Sequence, residues 1–120
     1  MIRKRLAAFR YALNGISLLF KETFHFKIHF IAAFAAIIGG LYFKISHADW
    51  LAIVLSIAIV FTTEAVNSAI EYTVDLSTTS HHPLAKKAKD VAAAAVLLAA
   101  VFSCIIACLI FLPYIHALWQ

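Results

Sequence analysis

Five polar side chains, Glu64, Asn67, Ser68, Glu71 and Asp75, stand out in an otherwise apolar stretch of this sequence. Their spacing of i, i+3, i+4, i+7 and i+11 puts them on one face of a helix. Val66, Ile70 and Val74 keep the other face apolar. Two carboxylates, an amide and a hydroxyl on one face can bind a hard cation through oxygen. A carboxylate in apolar surroundings is also a candidate general base. A second constellation, Lys86-Lys87-Ala88-Lys89-Asp90, opens a later apolar run. Lysines at a helix N-terminus suit anionic phosphates, because the helix end adds its own positive potential. The small residues Ala92 to Ala95 beside them let another helix approach closely. Together the two groups point to cation-bridged phosphate chemistry in which a carboxylate deprotonates a hydroxyl group. Phosphoryl transfer asks mainly for positioning and charge neutralisation. Neither G-x-x-x-x-G-K-[ST] nor G-x-G-x-x-G occurs, so the common nucleotide-binding loops are absent.

The elements that hold these residues follow from composition. Of 120 residues, 64% are hydrophobic and 13% charged. A soluble domain of this size could not hide so much apolar surface. An integral membrane protein is expected, which excludes soluble enzymes, disulfide scaffolds and disordered tails. Residues 1–26 mix basic side chains with Leu6, Phe9, Leu13, Ile16 and Phe20 in steps of 3 and 4, the pattern of an amphipathic helix lying in the headgroup plane over about 3–26. Three spans follow, about 28–43, 50–71 and 91–112, the last ended by Pro113. From Trp50, Glu64 is about 21 Å along the second span, inside the hydrocarbon core but within reach of its surface. A carboxylate at that depth is a functional-site hypothesis by default. Six Lys/Arg lie in the N-terminal segment, three in the 76–90 loop, one in the 44–49 loop and none in the C-terminal tail. The N-terminus and second loop are therefore expected in the cytoplasm, with the C-terminus opposite. The net charge of +4 is assigned to lipid headgroups and topology, with no nucleic-acid partner. Cys104 and Cys108 are read as packing thiols and the His25/His29 pair as interface residues. No removable signal peptide is discerned.

The blocks Glu64-x-x-Asn67-Ser68-Ala69-Ile70-Glu71-x-x-Val74-Asp75 and Ala88-Lys89-Asp90-x-Ala92-x-Ala94-Ala95-Val96, with their separation, resemble the small bacterial diacylglycerol kinase family, which includes the undecaprenol kinases. The similarity runs from about Phe9 to Leu112. It implies an all-α homotrimer, each chain one domain over 1–120 with three transmembrane helices and a surface helix, in the bacterial cytoplasmic membrane. It implies transfer of the ATP γ-phosphate to a lipid alcohol with Mg²⁺. By position, Glu64 matches the catalytic base and Glu71 a metal-binding carboxylate that also contacts ATP. Asn67, Lys89, Asp90 and Tyr11 match nucleotide-site residues, and His82 lies in the Ser80-His81-His82 stretch that aligns with a nucleotide-touching loop. The family's second metal-binding glutamate falls on Thr23. Either the preceding Glu22 substitutes for it, or the metal is held with one fewer carboxylate. The family's N-terminal arginine falls on Lys4, flanked by Arg3 and Arg5. Lys27-Ile28-His29 and His82-Pro83-Leu84-Ala85-Lys86 look more like the undecaprenol branch, so undecaprenol is the expected lipid ahead of diacylglycerol.

Two other classes compete. A small proton-coupled exporter also uses an intramembrane glutamate, but usually on the first of four spans. A non-catalytic assembly subunit would use the polar stripe as helix–helix glue. Because three spans per chain are too few to enclose the stripe, sites shared between subunits are expected.

Overall fold

The computed structural model describes residues 2–119, with the side chains of Ile2, Arg3 and Lys4 outside that description. The choice among Arg3, Lys4 and Arg5 as the family's arginine therefore lies partly outside the described residues. The described chain is helical: α1 (Ile2–Glu22), α2 (Phe24–Phe43), α3 (His47–Ser77) and α4 (Pro83–Ala117). The last three are long and apolar enough to cross a membrane. With 31 and 35 residues, α3 and α4 are about 46 and 52 Å long at 1.5 Å per residue. Each exceeds a hydrocarbon core of about 30 Å, so each has length to project beyond it.

One residue, Thr23, separates α1 from α2 with extended backbone (φ −103°, ψ 106°). Neither Gly nor Pro marks this break, whereas the apolar periodicity predicts a surface helix continuing to about residue 26. An aromatic cluster fixes the elbow. The rings of Phe20 and Phe26 meet edge-on at 4.9 Å, and Phe26 contacts Phe61 of α3 at 5.0 Å. Phe26 is buried.

At the other end, α2 stops at Lys44, whose left-handed φ of 51° lets the Lys44 and Ile45 amides donate to the Gly40 carbonyl. Ser46 then caps α3. Its hydroxyl accepts from the Asp49 amide at 3.2 Å, while the Asp49 carboxylate accepts from the Ser46 amide at 3.2 Å. Gly40 is required by packing: a Cβ there would sit 2.8 Å from the Trp50 ring. The turn packs on a small core of Ile45, Ile53 and Ile110.

Helix α4 begins with Pro83 in its first turn, where the missing N–H costs nothing, and His82 caps it. Pro113 does not end the helix, which runs on to Ala117. A proline removes one backbone bond, and neighbouring contacts can hold the final turns of a membrane helix. Here Tyr114 donates to Asp49 at 3.2 Å and its ring lies 6.0 Å from Phe43. Helix α4 packs chiefly along α3, where Ala92, Val96 and Ala99 are buried. Cys104 and Cys108 are free thiols exposed on the single chain, so they are not core packing groups within it.

Candidate functional site

The polar stripe forms, and its burial is graded. Glu64 is 2% exposed, Ser68 4% and Asn67 8%. Glu71 and Asp75, further along the same helix, are exposed. Asn67 links the two regimes, because its amide nitrogen donates to Glu71 Oε1 at 3.2 Å. That i, i+4 bond holds the Glu71 carboxylate along the helix. Glu64 Oε1, Asn67 Oδ1 and Ser68 Oγ are buried without a hydrogen-bond partner among the described residues. Leaving such groups unpaired costs about 1–3 kcal/mol each, and more for a charge. Three in a row on one face mark a site whose polar groups are kept for something other than intrachain structure.

Glu64, Asn67 and Glu71 line one cleft of about 330 Å³. Its other walls are His25 and His29 of α2 and the small or aliphatic face of α4 around Ala93 and Ala100. The histidine pair, read from sequence as interface residues, belongs to the same cleft as the buried carboxylate. Periodicity alone could not show this, because the register of α2 against α3 depends on the break at Thr23. A second, apolar groove adjoins the first. It shares His29 and Ala100 and continues past Ala32, Ala36, Ile57 and Cys104.

The basic cluster lies at the same end. Lys89 Nζ sits 2.5 Å from Asp75 Oδ1, one turn beyond Glu71 on α3. Lys86 pairs with Asp90 at 2.5 Å. Ala92, three residues past Lys89, is buried, and α4 brings a lysine to the acidic stripe there, as the sequence suggested. His82 uses its ring Nδ1 to accept from the Leu84 amide at 3.2 Å. Tyr11 is exposed on α1.

Glu22 has a partner that sequence reading missed. Its carboxylate accepts from the Tyr72 hydroxyl at 2.8 Å, across fifty positions of sequence. Tyr72 directly follows Glu71, so the bond ties the end of α1 to the exposed end of the stripe. Among the described residues, no three His, Cys, Asp or Glu side chains converge to cage a metal. Mg²⁺ seldom needs such a cage: one or two carboxylates with phosphate oxygens and water suffice. Glu71, held by Asn67, offers one such carboxylate, and Glu22, held by Tyr72, is a further acidic side chain at this end of α3.

A family model described as prokaryotic diacylglycerol kinase matches residues 10–111. An undecaprenol kinase of Bacillus subtilis is 48% identical over 106 residues, covering 88% of this chain and 86% of the relative. A diacylglycerol kinase of Synechocystis is 38% identical over 109 residues, 90% of this chain and 62% of that protein. A diacylglycerol kinase of Escherichia coli is 27% identical over 100 residues, covering 83% and 82%.

Proposed function

The chain belongs to the prokaryotic diacylglycerol kinase family and is a lipid kinase of a bacterial membrane; on that premise we propose that it transfers the γ-phosphate of ATP to undecaprenol, with Glu64 as general base. The observation that carries the reading is the 2% exposed Glu64 carboxylate, its Oε1 unpartnered, in a cleft walled by α2, α3 and α4. The lipid hydroxyl reaches Glu64 from the bilayer side. Its apolar tail lies in the groove that adjoins the cleft at His29 and Ala100. The higher identity to an undecaprenol kinase than to the diacylglycerol kinases supports undecaprenol as acceptor.

The nucleotide enters from the cytoplasmic side. Lys89 and Asn67 position the phosphates, with Asp90, Tyr11 and His82 contributing around the nucleotide. Glu71 would hold Mg²⁺, and Glu22, whose carboxylate accepts from the Tyr72 hydroxyl, would be the second carboxylate. Bound there, Mg²⁺ would neutralise phosphate charge. As the lipid oxygen forms its bond to the γ-phosphorus, Glu64 takes up the hydroxyl proton, and the bond to the β–γ bridging oxygen breaks to leave ADP. The working unit is a homotrimer of single-domain chains over residues 1–120. Helix α1 is an amphipathic helix on the cytoplasmic surface, the C-terminus lies on the opposite side, and the sites are shared between subunits.

The test uses purified protein in detergent with Mg²⁺, γ-labelled ATP and undecaprenol. Labelled undecaprenyl phosphate is expected. ADP release or nucleotide binding without a labelled lipid would overturn the proposal.

A further inference from the structure

Each turnover of a lipid kinase releases a proton, because the acceptor enters as a neutral alcohol and leaves as a phosphate ester. With Glu64 as base, a reading on which this inference rests, that proton arrives on a buried carboxyl group. Glu64 must lose it before the next cycle, yet only 2% of the residue is open to solvent. The cleft offers a way out. His29 is half-buried and His25 is exposed, and both line the cleft with Glu64. They are four residues apart on α2, about 6 Å of helix rise, with His25 in the first turn of the span.

We propose that His29 and His25 form a proton exit path, from the Glu64 carboxyl through the two imidazoles to water at the cytoplasmic surface. Imidazole is the side chain suited to taking and giving a proton near neutral pH. The cleft, about 330 Å³, is roomy enough for several waters to complete the chain between polar groups. The atoms balance within the transfer. The proton leaves the lipid oxygen for Glu64 as that oxygen bonds phosphorus. It then passes to one ring nitrogen of His29 while the other nitrogen releases a proton toward His25 and solvent. No redox change or co-reactant is needed. Other titratable groups lining the cleft, among the described residues, are Glu64 itself and Glu71, both from α3. The facing side of α4 supplies none. Glu71 is engaged by Asn67 and proposed for Mg²⁺, which leaves the histidines as carriers. They act through Glu64 and position its proton; they are not assigned contact with the reacting atoms.

The experiment compares His29→Gln, His29→Ala, His25→Gln and Glu64→Gln in the full-length protein in undecaprenol micelles with Mg-ATP. His29→Gln is expected to lower kcat by about tenfold or more, with KM for ATP and lipid within about twofold. In His29→Ala, added imidazole should recover part of the rate, as it can enter the space the truncated side chain leaves. The solvent deuterium isotope effect on kcat should rise, because proton exit then limits turnover. If His29→Gln disrupts the fold, His25→Gln decides by the same readouts, since that residue is exposed at a helix end. Parental kcat in the folded histidine variants overturns the relay, as does a loss in His29→Ala that imidazole does not relieve or a loss confined to KM. Glu64→Gln separates the two readings. If it retains activity, the base assignment fails; if it is inactive while the histidine variants are parental, the relay alone fails.

Discussion

Replacing Glu64 by Gln separates catalysis from structural glue, because only the glue reading predicts a loss of stability. The substitution keeps shape and volume and removes the base. General-base catalysis is worth about 10²–10⁴ in rate, which is about 2.7–5.4 kcal/mol of barrier at 1.36 kcal/mol per tenfold. Stability should not fall. Glu64 Oε1 has no hydrogen-bond partner in the described chain, so the variant removes no intrachain bond there. It also replaces a buried carboxylate, costly to desolvate, with a neutral amide of the same outline. The expected result is unchanged or raised thermal stability with phosphate transfer down by at least about a hundredfold. The assay pairs initial rates from γ-labelled ATP with thermal unfolding followed by tryptophan fluorescence in the same detergent. A variant that keeps a rate within about threefold of the parent would refute the base assignment, since that loss is far below general-base magnitudes. A variant that loses its oligomer and unfolds earlier would place the residue in the glue class.

Other perturbations address the supports of the site. Gly40→Ala drives a methyl group to 2.8 Å from Trp50. It should cost about 1–3 kcal/mol by overpacking, read as earlier thermal unfolding, with the KM for ATP unchanged because the turn is remote from the basic cluster. Asp75→Asn removes the charge facing Lys89 and should lower kcat/KM for ATP by about three- to thirtyfold. The part-exposed pair should change stability by less than about 1 kcal/mol. A parental kcat/KM would show that the Asp75 tether does not position the lysine. Tyr72→Phe releases Glu22 and should raise the Mg²⁺ concentration needed for half-maximal activity by about two- to tenfold, about the worth of one hydrogen bond. No shift would leave Glu71 as the metal carboxylate without Glu22.

How much of this was legible in the sequence depends on the range of the interaction. The three spans followed from apolar run lengths, and the stripe from Glu64 to Asp75 followed from helical period. Both are local signals. The approach of the basic cluster to the stripe was foreseen from the small residues Ala92 to Ala95, which let helices pack closely. The Glu22–Tyr72 bond was not foreseen: it joins residues fifty apart, and no pattern within α1 or α3 encodes it. The same holds for His25 and His29. Their i, i+4 spacing showed a shared face, but which neighbour that face meets depends on the one-residue break at Thr23 and on Phe26 seating against Phe20 and Phe61. Pro113 misled for a physical reason. Read alone, a proline stops a helix; here Tyr114 anchors the next turn to Asp49.

The proposed activity is phosphorylation of a membrane lipid alcohol with a preference for undecaprenol. Its most direct test is a competition: undecaprenol and diacylglycerol presented together in one mixed micelle, with limiting γ-labelled Mg-ATP and the two labelled products resolved. Label is expected predominantly in undecaprenyl phosphate, abolished by Glu64→Gln. Label predominantly in phosphatidate would contradict the substrate assignment, and label in neither lipid with the folded protein would contradict the kinase itself.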